Sequence, residues 1–461
     1  MTMKKIFQAF LISLLPMSWS VAQTPTGSVL IKNAHVLTVT QGDLENTDVL
    51  VENGVIKKIG KNLSATNIEV IDASGLYLMP GIIDAHSHVA LDAVNEATAP
   101  ITSEVKMADV VNPYDIGLYR ALAGGVTISH AMHGSANAIG GQNITLKHRY
   151  GSGNPEDLFM KEAPRTIKFA LGENPTRVHG RGNGIQPRTR MGVDAVIRNG
   201  FNEAIQYKKS WEDYNKALKV KGASPVPPKY NERLQTLADI LDGDIIIHCH
   251  SYRADEIYAL INTCREFGVT NIVFSHVNEG FKVAPELAAY TMGASVFADW
   301  WAYKFEVYYS TAYNAAILTR NNVITSINSD SGELIRHLYH EAGKAQRYGE
   351  LTDEETLALI TINPAKQLGI ADKVGSIEEG KQADLVLFNE HPLSVYAIPQ
   401  MTFVDGVKYF DIKADDNDMR LRVSASEIVE PIFLKEHDHR CMHGVDFFFT
   451  NFGRNLFNHS H

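Results

Sequence analysis

The chain is short of several things that would narrow its class. Only three of its 461 residues are cysteines, Cys249, Cys264 and Cys441. Spread this far apart they make no disulfide framework, so stability must come from a buried core. Basic residues are not in excess: 43 Lys and Arg face 53 Asp and Glu, for a formal net charge of −10. This balance argues against general nucleic-acid or anionic-membrane binding, which needs basic patches. After the first two dozen residues no apolar run approaches the roughly 20 residues of a bilayer-spanning helix. Internal repeats and extended low-complexity tracts are absent as well, and the composition is otherwise that of an ordinary globular protein.

The one long apolar run opens the chain. In "MTMKKIFQAFLISLLPMSWSVAQ", Lys4 and Lys5 precede an apolar stretch from Ile6 to Trp19, and Ser20-Val21-Ala22 then offers small residues. This pattern reads as a secretory signal peptide over residues 1–22, cut near Ala22. A membrane anchor is the alternative, and Pro16 and the polar residues within the run speak against it. No cysteine stands where a lipoprotein signal would place one. The expectation is an exported protein, periplasmic or extracellular, without membrane contact once the signal is removed.

Residues 23–80 read as β-structure. "VLIKNAHVLTV" and "DVLVENGVIKKIG" are rich in β-branched residues, with "ENGV" supplying a turn. A similar pattern returns in "ADLVLFNE" and "MTFVDGVKYF". The two β-rich flanks are expected to pair into one small sandwich domain, its second part lying within 371–461. Between them, residues 81–370 alternate apolar runs with helical periodicity. Leu234, Leu237, Ala238 and Leu241 follow the i, i+3, i+4, i+7 rule, as do Ile257, Leu260, Ile261 and Cys264. Eight candidate strands ("GIIDAHSHV", "GVTISHAM", "NITLKH", "TIKFALGE", "DIIIHCHS", "NIVFSHV", "ASVFADW", "VITSINSD") with helices between them predict an α/β fold, a (β/α)8 TIM barrel. A doubly wound open sheet is the competing architecture.

The strand ends carry the chemistry. The first run ends in His86-x-His88, the fifth in His248-x-His250, the sixth in His276 and the eighth in Asp330. In a barrel the carboxyl ends of all strands meet at one mouth. Neutral imidazoles and a carboxylate gathered there suit a divalent metal: Zn²⁺ first, with Mn²⁺ or Fe²⁺ accepting the same donors. A lone histidine such as His130 or His340 is instead expected to be packed or exposed. A second ion would need a group from the fourth run, "TIKFALGENP". Glu173, at the carboxyl end of that run, is preferred. Lys168, lying earlier, serves only if its amine is carboxylated to a carbamate.

These segments resemble the metal-dependent amidohydrolase superfamily, nearest its imidazolonepropionase-like and prolidase-like branch. The resemblance rests on "LMPGIIDAHSHV", "IIIHCHSYRADEI", "FSHVNEG", "INSDSGE" and the closing "INPAKQLGIADKVGSIEEGKQADLVLFNEHP", and runs from about residue 28 to 410. It implies a distorted barrel with a β-sandwich from both flanks and one or two metal ions. By position, His86, His88, His248, His276 and Asp330 match ligands, while "IKFALGEN" resembles members that use a carboxylated lysine at strand four and also members, with a similar "LGE", that use a glutamate.

The implied reaction is hydrolysis of a C–N bond in an amide, peptide or cyclic amide. Asp330 serves as general acid and base, and His276 or a second ion polarises the carbonyl. Deamination of a heterocyclic amine at the same site is the alternative, and a non-catalytic barrel the third reading. His250 is expected to meet substrate, and Arg253 to pair with a substrate carboxylate. Arg177, His179 and Arg181 of the Gly-rich "NPTRVHGRGNG" lie where a substrate lid would sit. The histidine-rich "EHDHRCMHG" is not expected to be catalytic. The partner is a small molecule, and a homo-oligomer is compatible with everything above.

Overall fold

The computed structural model describes residues 25–301 and 303–421. The expected signal peptide, Cys441, the "EHDHRCMHG" run and the candidate strand "VDFFFTNF" lie outside the described residues. None of the described helices is long and apolar enough to cross a membrane.

Two eight-stranded sheets organise the chain. The N-terminal flank supplies β1 (Val29–Leu37), β2 (Asp43–Glu52), β3 (Val55–Gly60), β4 (Glu69–Asp72) and β5 (Tyr77–Pro80). The barrel strands are β6 (Ile82–Ser87), β7 (Val126–Ala131), β8 (Ile139–Lys147), β9 (Arg165–Ala170), β10 (Ile245–Ser251), β11 (Ile272–His276), β12 (Gly293–Val296) and β13 (Thr325–Ile327). The C-terminal flank adds β14 (Leu385–Phe388), β15 (Pro399–Val404) and β16 (Val407–Asp411). β14 pairs antiparallel with β5 in the register Leu385↔Pro80, so both ends of the chain build one sheet. Its buried face forms a separate core that includes Ile31, Val49, Leu78, Leu385 and Phe403. The two tight turns expected from sequence are present: Asn53-Gly54 and Asp405-Gly406 all have positive φ, as two-residue hairpins between right-twisted strands require.

The barrel departs from eight parallel strands at one place. β8 runs antiparallel to both β7 and β9. Residues 132–138 are all that joins β7 to β8, and the link from β8 to β9 holds only the short turn Pro155–Leu158. Neither carries a crossover helix, which a parallel return needs. Elsewhere the expected helices form. Glu232–Asp242 is capped by the Asn231 side chain, which accepts the Leu234 N–H, and it stops at Gly243 with φ +84. Ala254–Phe267 buries Ile257, Leu260, Ile261 and Cys264. Cys249 and Cys264 are buried free thiols.

Because β8 is reversed, its carboxyl end lies at the base of the barrel, against the small sheet. Lys147 there is fully buried; its amine pairs with Asp384 Oδ1 at 3.1 Å and with Asp405. Arg149 donates through Nε to Asp405 Oδ2 at 2.9 Å, and through a second nitrogen to the same oxygen at 2.6 Å. Burying four charged groups is costly unless each keeps its partners. Lys147→Ala strands two carboxylates and is expected to lower stability by about 3–5 kcal/mol, read as a drop in the urea unfolding midpoint. An unchanged midpoint would show that the network contributes nothing.

Candidate metal centre

The mouth of the barrel gathers the residues singled out at the strand ends. His86, on β6, is wholly buried, with Nε2 3.5 Å from Asp330 Oδ1. His88 follows two residues later; its Nε2 is 3.2 Å from the same oxygen. Its Nδ1 lies 2.8 Å from the Met132 carbonyl. A carbonyl only accepts, so Nδ1 carries the proton and Nε2 presents its lone pair towards a carboxylate. Two acceptors facing each other at that distance call for a cation between them. His86, His88 and Asp330 each offer one ligand atom within 4.8 Å of the others. His276, at the end of β11, places Nε2 3.7 Å from Asp330 Oδ2, and its ring stacks on His86 with centroids 4.7 Å apart.

Unsatisfied nitrogens support the same reading. His86 Nδ1, both ring nitrogens of His248 and both of His276 are buried without a hydrogen-bond partner. Buried polar groups are normally bonded, so a cluster of this size asks for an explanation. A metal fits the donor set: neutral imidazoles plus one carboxylate. Burial holds the imidazoles unprotonated. It pushes His276 down to about 3 and drives His86, His248 and His250 well below the ordinary range. The charge of Lys168 adds to this in each of the four. For Asp330, burial pushes the carboxyl up, but the neighbouring His88, His276 and Lys168 outweigh it and the net shift is downward.

The backbone is bent to make this arrangement. His276 has φ +74 and Asp330 φ +48, conformations that cost a non-glycine residue of order 1–3 kcal/mol. Asp330 is held by its own N–H, which donates to the His86 carbonyl at 3.0 Å. Asp84, one turn of the pleat below His86, accepts from the Ser329 N–H at 3.1 Å and from the Ser329 hydroxyl. Burial pushes Asp84 up to about 7 despite those bonds.

The two residues weighed for strand four lie in different places. Lys168 is fully buried inside the cluster, with Nζ 2.9 Å from His86 Nε2, and it stands in register with His248. β9 ends at Ala170, so Glu173 belongs to the short helical turn Glu173–Pro175 and is only half-buried. The loop serves another acid. The Glu173 N–H donates to Glu306 Oε1 at 2.7 Å, and Gly172, with φ +76, leaves room where a Cβ would stand 2.5 Å from that oxygen.

His248 packs against His130 with ring centroids 4.3 Å apart. His130 is a satisfied core histidine, bonded to Thr166 Oγ1 at 2.7 Å and to the Ala85 carbonyl. His250 lies one layer nearer the mouth, 4.9 Å from the His276 ring, with Nε2 3.3 Å from Asn174 Nδ2. Arg253 is turned to its own helix, its Nε 3.0 Å from Asp255 Oδ1. The Gly-rich segment forms a wide helical turn, Thr176–Asn183, in which His179 is buried. Asn174 and Lys304 also reach the site; Asn174 opens the Gly-rich segment without having been singled out in it, and no motif marked Lys304.

Comparison with known proteins bears on the family and the fold. The amidohydrolase family pattern matches residues 77–418. The chain is 32% identical over 393 residues to the amidohydrolase tasK of Hapsidospora irregularis; the match takes in 79% of this chain but only 40% of that protein. It is 24% identical over 396 residues to the 5-methylthioadenosine/S-adenosylhomocysteine deaminase of Pyrococcus furiosus, covering 78% of this chain and 86% of the other. Among solved structures, an amidohydrolase from Thermotoga maritima superposes with a TM-score of 0.77 at 35% identity, covering 83% of this chain and all of that one. The chain belongs to the amidohydrolase family.

Proposed function

We propose that the chain is a metal-dependent hydrolase of C–N bonds in small amides, peptides or cyclic amides. The observation that carries this is the convergence of buried, unprotonated imidazoles with unsatisfied nitrogens on Asp330. His86, His88 and Asp330 would hold one divalent ion, and His248 and His276 a second. Between them we place Lys168 rather than Glu173, because its amine is the strand-four group inside the cluster. Addition of its neutral amine to carbon dioxide, with loss of a proton, gives a carbamate whose two oxygens suit two ions. A divalent ion there, Zn²⁺ foremost, supplies Lewis acidity and makes water ionisable near neutral pH.

The chain's own residues do the rest. Asp330 takes the proton from water and returns it to the departing nitrogen. The Met132 carbonyl fixes the His88 tautomer, and Asn174 holds the His250 ring where a substrate would lie. Deamination is the second reading, favoured by likeness to the Pyrococcus furiosus deaminase; release of ammonia rather than a larger amine would select it. Export through residues 1–22 remains part of the proposal.

Asp330→Asn is expected to lower kcat by about 10³-fold while elemental analysis shows most of the metal retained. Full activity in that variant would end the acid–base role. Lys168→Ala is expected to hold at most one ion per chain, whereas Glu173→Gln keeps the parent stoichiometry. The opposite pattern would restore Glu173 as the ligand.

A further inference from the structure

One cation stands at the mouth without a role in holding metal. Lys304 lies on the segment after β12, and its side chain is only 13% exposed. Its Nζ donates to Asn174 Oδ1 at 3.1 Å, lies 3.3 Å from Glu306 Oε2 and sits 4.1 Å from the centre of the Tyr252 ring. That ring stacks on His276 at 5.5 Å and meets His250 at 4.6 Å. A single side chain therefore separates this amine from two imidazoles of the site. Asn174, itself nearly buried, bonds Lys304 through its oxygen and reaches Ser135 Oγ at 2.7 Å and His250 Nε2 at 3.3 Å through its nitrogen.

A cation in this position works against divalent metal and imidazoles unless an anion joins them. Glu306 does not need Lys304 to stay in place: the Glu173 N–H holds it at 2.7 Å and Arg190 lies 3.7 Å from the same oxygen. Lys304 has three N–H donors, so it can offer one to an incoming carboxylate while its amine stays beside Glu306 Oε2, which has no hydrogen bond of its own. The other arginine near the mouth that suits this task, Arg253, is engaged by Asp255. Tyr303, whose hydroxyl bonds the Tyr252 hydroxyl at 3.2 Å, and Trp300 supply an apolar wall beside it. Water is thereby thinned around the amine, which strengthens a charged hydrogen bond.

We propose that Lys304 receives the substrate's carboxylate, so that the preferred substrates are acyl or peptidyl amino acids with a free α-carboxylate. The role expected of Arg253 then belongs to a residue beside the Tyr252 ring, with Asn174 linking it to His250. This inference rests on the hydrolase reading for turnover but not for binding.

The test uses zinc-loaded full-length protein and a panel of N-acetyl-L-amino acids with small, branched, aromatic and basic side chains, each paired with its C-terminal amide. Binding is followed by intrinsic tryptophan fluorescence, because Trp300 is part of the wall, and turnover by amine release. The parent is expected to prefer the carboxylate member of at least one pair. Lys304→Met should raise its Kd and KM by about 10–100-fold, with kcat and the amide largely unchanged, and Lys304→Arg should restore most of the preference. Equal binding within every pair, no binding of any carboxylate, or a preference that survives in Lys304→Met would overturn it. A carboxylate preference in binding that Lys304→Met abolishes, without turnover of any pair, supports Lys304 and faults the hydrolase reading instead.

Discussion

The contact on which the molecule turns is a backbone hydrogen bond, from the Asp330 N–H to the His86 carbonyl. It joins the ends of the first and last barrel strands, and it sets the Asp330 carboxylate against both histidines of the first strand. Asp84 reinforces the same seam by accepting from Ser329. Closure of the barrel and assembly of the site are therefore one event. Asp330, on this seam, and His276, at the end of β11, both carry positive φ, local strain that the surrounding structure holds in place.

Desolvation then decides the chemistry. Imidazoles with water access would be part-protonated in mildly acidic surroundings and would repel one another and any cation. Burial lowers His86, His248 and His276 from the ordinary imidazole range, which favours the neutral form that donates a lone pair. The same low dielectric makes a bare ammonium on Lys168 an awkward neighbour, since its charge opposes every imidazole around it. Converting that amine to an anion would reverse the sign of the interaction, which is the physical argument for the carbamate proposed above.

Much of this was legible in the amino-acid order, for a definite reason. His86, His88, His248, His276 and Asp330 sit at the ends of short apolar runs, and a barrel brings such ends together whatever their separation in sequence. The two flanking β-segments announced themselves through Asn-Gly and Asp-Gly turns. What could not be read were facts of depth and reach. Glu173 was the better candidate by its position at the end of "TIKFALGE", but β9 stops at Ala170 and Glu173 falls in the next turn, while the Lys168 amine, rising from within the strand, stands 2.9 Å from His86 Nε2. The reversal of β8 goes with connections that carry no crossover helix, and composition alone does not reveal it. Lys304 and Asn174 belong to loops, where single residues carry no periodic signal.

The pairing of β5 with β14 bears on how the molecule comes into being. The small sheet requires Pro80 to meet Leu385, so while a ribosome is still making the barrel the early strands wait with one long edge bare. Contacts of such sequence separation form late, and unpaired edges invite association with other chains. Maturation thus depends on the last strands arriving, and until they do the nascent polypeptide is at its most vulnerable to misassembly and to chaperone capture.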